Sequence, residues 1–130
     1  MKIILQIISV ILLFIIVVIF GFKSFSKLIY NSCDCERFNI DNIELRTGIN
    51  IPKIKNVECN YDENTKTKNS SFIIDTEKVD LEDYILKNKF VKSGSGELYV
   101  KTNDTENHSY KGVLDKNTGK LDVEIIYKDW

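Results

Sequence analysis

The chain has 130 residues, with 18 Lys and Arg against 19 Asp and Glu, a net charge of −1, and 43% hydrophobic side chains. Lys2, Lys23 and Lys27 fall in the first thirty residues, so residues 31–130 carry 15 basic against 19 acidic side chains, a net of −4. A stretch of about a hundred residues has room for one modest core and not for two, and its scattered basic residues offer no electrostatic footprint for nucleic acid.

The first element is Ile3 to Phe22, twenty residues without an ionisable side chain, of which seventeen are Ile, Leu, Val or Phe and the rest are Gln6, Ser9 and Gly21. As a helix it would span roughly 30 Å, the thickness of the hydrocarbon layer of a bilayer. At about −0.3 to −0.6 kcal/mol per apolar residue near the helix centre, insertion is favoured by several kcal/mol. Three other readings fit less well. A cleaved signal peptide has a shorter apolar region and a small-residue site, whereas this chain has no alanine and offers only Ser24-Phe25-Ser26. A lipoprotein needs small residues before its acceptor cysteine, and Cys33 follows Tyr30-Asn31-Ser32. A water-soluble core helix has a polar face, which this run lacks.

The flanking charges nearly balance, Lys2 on one side and Lys23, Lys27 and Arg37 against Asp34 and Glu36 on the other. A lone basic residue ahead of an uncleaved apolar run has the form of a signal anchor, which places the N-terminus in the cytoplasm and exports the rest. Phe22, Phe25 and Ile29 continue at helical spacing, with Lys23 and Lys27 on another face, as for a helix end among lipid headgroups or, equally, an unstructured linker. The expected organisation is an anchor with its extension over residues 1–30, a connector over 31–38, and an exported α+β domain over 39–130.

Cys33, Cys35 and Cys59 give an odd count. In an oxidising compartment Cys59 could pair with Cys33 or Cys35, leaving one thiol; in the cytoplasm all three would be reduced. Cys-x-Cys is tighter than the usual zinc-ligand spacing and His108 is remote, so no metal site is expected.

In the domain, Asp41 opens a short helix with Glu44 as its capping-box partner, Ile43 and Leu45 as its apolar contacts and Gly48 as a left-handed end, and Pro52 holds Ile51 extended. Val57, Cys59 and Tyr61 alternate with polar residues as a half-buried strand. Asp62 to Asn69 reads as a polar hairpin loop, and Ser71 to Asp75 returns as a strand. Asp80 begins the one clear soluble helix, with Leu81, Tyr84, Ile85 and Phe90 on its apolar face and Ser93-Gly94-Ser95-Gly96 as its break. Leu98 to Val100 starts a third strand. Tyr110, Gly112 and Leu114 alternate up to the turn Asp115 to Gly119, after which Leu121, Val123, Ile125 and Tyr127 alternate with polar residues. This order predicts an α+β fold: an N-terminal transmembrane helix followed by a small antiparallel sheet with one main helix, Asp80–Phe90, on one face.

Thr47-Gly48-Ile49-Asn50-Ile51-Pro52, then a strand ending in Tyr61, then Asp80-Leu81-Glu82-Asp83-Tyr84 leading a helix, resembles a layout found in bacterial lipoproteins and membrane-anchored proteins without an assigned activity. The resemblance covers the middle third of the chain. It implies an exported α+β domain and transfers no catalytic residues.

Little chemistry is on offer. His108 stands beside Asp104 and Glu106 in a polar run that reads as a solvated turn. Gly94-Ser95-Gly96 lacks the following helix of a phosphate loop, and Glu77, Asp80, Glu82 and Asp83 miss calcium-loop spacing and read as helix capping. No catalytic residue and no cofactor follow. The expected role is a non-enzymatic binding module held by the lipid bilayer at the outer side of the cell membrane, meeting another envelope or secreted protein, with toxin immunity as one concrete form. An enzyme with an unrecognised site, or a domain secreted after signal-peptide cleavage, is the alternative.

Overall fold

A computed structural model describes residues 2–31 and 39–128, with the side chains of the first segment described at 6–22, 24 and 25. The chain divides into two compact units, Met1–Ser32 and Cys33–Trp130. The expectations on Cys33, Cys35 and the connector lie outside the described residues.

Helix α1 runs over Lys2–Asn31 as 30 continuous helical residues. The large apolar side chains described in it, between Ile7 and Phe25, are 37 to 71% exposed. Among the described residues no helix is long and apolar enough to cross a membrane; the side chains described without a break in α1 are the 17 from Gln6 to Phe22, fewer than its backbone helix contains.

The second unit is an antiparallel six-stranded sheet in the order β1-β2-β6-β5-β4-β3. Its strands are β1 (Ile54–Asp62), β2 (Thr67–Ile74), β3 (Val91–Lys92), β4 (Leu98–Asp104), β5 (His108–Asp115) and β6 (Lys120–Tyr127), with α2 (Ile40–Thr47) before β1 and α3 (Leu81–Asn88) between β2 and β3. The last strand is inserted between β2 and β5. Its Leu121, Val123, Ile125 and Tyr127 are all buried, as a two-residue period with one apolar face requires.

The register builds the covered face row by row. Leu121 lies between Phe72 and Leu114, Val123 between Ser70 and Gly112, and Ile125 between Lys68 and Tyr110. The middle row is the narrow one, and the chain uses it. A Cβ on Gly112 would come within 2.6 Å of Ile49 Cδ1 and 3.4 Å of the Phe90 ring. These two side chains, from the segments just after α2 and α3, settle into the notch that Gly112 leaves.

Two helices therefore stand on the covered face, where the sequence indicated one. Asn42 of α2 donates to Tyr127 Oη at 3.0 Å, and the Arg46 guanidinium sits 5.1 Å above the Tyr127 ring. Contacts from α3 reach the segment following α2: Tyr84 Oη donates to the Asn50 carbonyl at 2.7 Å, and Asn88 Oδ1 accepts from Asn50 N–H at 2.8 Å. Leu81, expected in the core, is only half-buried, while Tyr84, Ile85 and Phe90 are buried.

The caps follow the sequence in part. Gly48 ends α2 at φ 59°, donating to Glu44 O, as expected. The Asp41–Glu44 capping box does not form: the N-cap is Asn39, without a side-chain cap bond, and Glu44 Oε1 instead accepts from Ile51 N–H at 2.7 Å. The extended segment before Pro52 has an amide with no sheet partner, and the carboxylate satisfies it. Asp80 caps α3 through Glu82 N–H and Asp83 N–H. This helix ends at Lys89 in the left-handed conformation, four residues before the Ser93–Gly96 break.

The polar run Asp62–Asn69 is not a loop throughout. The turn is only Glu63–Lys66, and Lys68 and Ser70 belong to β2 with their side chains buried. Pairing with β6 overrides the polar composition, because β6 needs a partner along its whole length.

Candidate functional site: the outer face of the sheet

Inward positions of the sheet are covered by α2, α3 and their flanking segments, and the alternate positions form the opposite, outer face. All six carboxylates carried by the strands, Glu58, Asp62, Asp104, Asp115, Asp122 and Glu124, occupy outward positions in the register. Lys111 and Lys120 are the amines at outward register positions, and Lys128, just after β6, pairs with Asp104. Inward positions carry no carboxylate, but three lysines, Lys68, Lys92 and Lys101. The two faces are thus separated by charge as well as by hydropathy.

Across the outer face one row runs Glu58, Ser71, Asp122, Val113, Val100, Val91. Its β1–β6 half is polar and its β5–β3 half is apolar. Leu98, two residues from Val100, extends the apolar half, and Val91 and Leu98 are 70% and 44% exposed. The polar half is an open groove of about 570 Å³, lined on this face by Glu58, Asn60, Asn69, Lys111, Asp122 and Glu124 among others. Lys120 and Asp122 pair at 3.1 Å, both half-exposed, an arrangement that adds little stability. Glu58 and Glu124 make no ion pair among the described residues.

His108 is placed elsewhere. It lies on the covered side, opposite Tyr127, half-buried, with Nε2 2.9 Å from the Arg46 carbonyl and Nδ1 3.3 Å from Thr105 Oγ1. A carbonyl only accepts, so Nε2 carries a proton and donates it. The Thr105 hydroxyl is committed to the backbone of His108, donating to its carbonyl at 2.7 Å and accepting from its N–H at 3.1 Å. The pair ties the end of α2 to β5 and presents no activated nucleophile.

The remaining sequence candidates resolve into structure. Asp80 is a cap; Glu77, Glu82 and Asp83 pair with Lys55, Lys116 and Lys87 at 3.1, 2.7 and 2.7 Å. Gly94 turns at φ 73° ahead of β4. Among the described residues no group of three or more His, Cys, Asp or Glu is placed to hold a metal ion. Cys59 is disulfide-bonded, and the other two cysteines of the chain lie outside the described residues.

Lys68 is the residue that sequence reasoning missed. It is 2% exposed and its ammonium donates to Asn39 Oδ1 at the start of α2. Burial, and secondarily the charge of Arg46, lowers its pKa to about 8. Beside it in the strand, Ser70 Oγ is buried without a hydrogen-bond partner among the described residues. The available signal was the period-two series Lys68, Ser70, Phe72, Ile74, read backwards from its apolar end. Comparison with protein-family models, with curated proteins and with solved structures finds no match for this chain.

Proposed function

We propose that the chain is a single-pass membrane protein whose C-terminal domain is a non-enzymatic binding module outside the cytoplasm, docking another envelope or secreted protein on the outer face of its sheet. Neutralisation of a toxin is one concrete form of that role. The observation that carries the docking reading is the apolar row Val91, Val100, Val113, continuous with a charged groove on a face that neither helix covers. An exposed apolar centre with a polar rim is the anatomy of a protein interface.

The anchor rests on α1. Its core Ile3–Phe22 carries no charge over twenty residues, about the number a bilayer requires. A helix apolar on all faces has no stable place in water. The disulfide at Cys59 supports an oxidising compartment.

Membrane fractionation with an alkaline carbonate wash tests the anchor: full-length protein should stay with the membranes, and release or shortening would refute it. A reporter fused after Trp130 that functions only outside the cytoplasm should be active. Activity from a cytoplasm-only reporter would reverse the orientation.

A further inference from the structure

Resting on the outer face as the docking surface, we propose that its partner is a basic protein surface, one that sets lysine or arginine side chains around an apolar contact. The register carries the argument. All six strand carboxylates point outward, and Lys111, Lys120 and Lys128, the last paired with Asp104, accompany them, so the face holds a net charge of about −3. In the groove, Glu58 and Glu124 have no ion pair among the described residues. Lys111 lies directly opposite Glu124 in the register, yet no ion pair among the described residues joins them. In the register Asp122 borders the Val91–Val100–Val113 row and Glu58 lies farther along the same row, a layout in which apolar contact supplies affinity and the adjoining charge supplies partner choice and association rate. A second copy of this chain would bring an equally acidic face and be repelled.

The experiment uses the full chain in nanodiscs of zwitterionic lipid, followed by amide NMR. The probes are a peptide of alternating lysine and valine and its counterpart with glutamate at every lysine. The basic peptide should shift signals from outward residues of β4, β5 and β6, and raising salt from about 50 to about 300 mM should weaken it tenfold or more. Glu58→Gln with Glu124→Gln should lower its affinity, and Glu58→Lys with Glu124→Lys should transfer binding to the acidic peptide. Glu77→Lys, on a turn away from this face, should change neither. If the acidic peptide shifts the valine row as strongly as the basic one, the docking face stands and the basic partner is refuted. If neither peptide moves an outward residue, the docking face itself is refuted. If the chain self-associates through that face, the partner is a second copy and the proposal falls.

Discussion

The two faces of the sheet obey different rules although they alternate along the same six strands. On the covered face, position decides: Ile49 and Phe90 descend where a glycine leaves room, and one lysine is buried among the rows. On the outer face, charge decides: every strand carboxylate is there, and packing asks nothing of it. The comparison teaches that packing dictates one face, while the other carries the charge and is the face proposed for docking.

The largest test of this contrast is Val123→Asp. It would put an unpaired carboxylate at a position 2% exposed, at a cost of several kcal/mol, comparable to the whole stability of a domain this size. Thermal melts should show the domain unfolded or nearly so.

Lys68 sharpens the comparison, because it is the one buried amine among the three lysines of the covered face. Its folded pKa of about 8 lies below the ordinary 10.5, so the fold disfavours the protonated amine. That penalty is present in full below about pH 8 and is relieved as pH rises towards 10.5. At 1.36 kcal/mol per pH unit it amounts to about 3 kcal/mol. Chemical denaturation of the parent protein should therefore show a rise in stability between pH 8 and 10, and Lys68→Met should lack it. An unchanged rise would place the lysine in water.

Gly112→Ala should cost about 1–3 kcal/mol by overpacking the notch against Ile49 and Phe90. Ile49→Val in the same chain removes the methyl that a Cβ would strike, and should recover part of the loss. Strict additivity of the two changes in urea titrations would mean that the notch is not shared.

The smallest effect belongs to Glu124→Lys, next to Val123 on the outer face, which should shift stability by less than about 0.5 kcal/mol. A melt in which Glu124→Lys unfolds the domain and Val123→Asp does not would exchange the faces.

Much of the architecture was legible residue by residue. The alternation of β6 identified its buried side chains, Gly48 and Asp80 marked helix ends, and Gly119, at φ 69°, closed the last hairpin. Alternation could not say which strands lie beside β6, so the central place of the last strand stayed hidden. The core part of α2 was legible only in half: of the two apolar contacts that it offered, Ile43 is buried and Leu45 is 87% exposed, because a helix of eight residues is too short to fix which face turns inward. The candidate site was the least legible feature. Val91, Val100 and Val113 become neighbours only through two strand pairings, and a two-residue strand such as β3 leaves no pattern in sequence.

By itself, then, the sequence determined the properties that local periodicity and composition control: the uncharged apolar run, the fold class, the buried face of the last hairpin and the absence of a recognisable catalytic motif. The tertiary structure decided what depends on register. It chose which side of the sheet Lys68 and Ser70 face, brought Ile49 and Phe90 over Gly112, and gathered six carboxylates from four strands beside one valine row. The reason is that side-chain direction along a strand repeats every two residues, whereas the neighbours across the sheet are set by hydrogen-bonded partners distant in the chain.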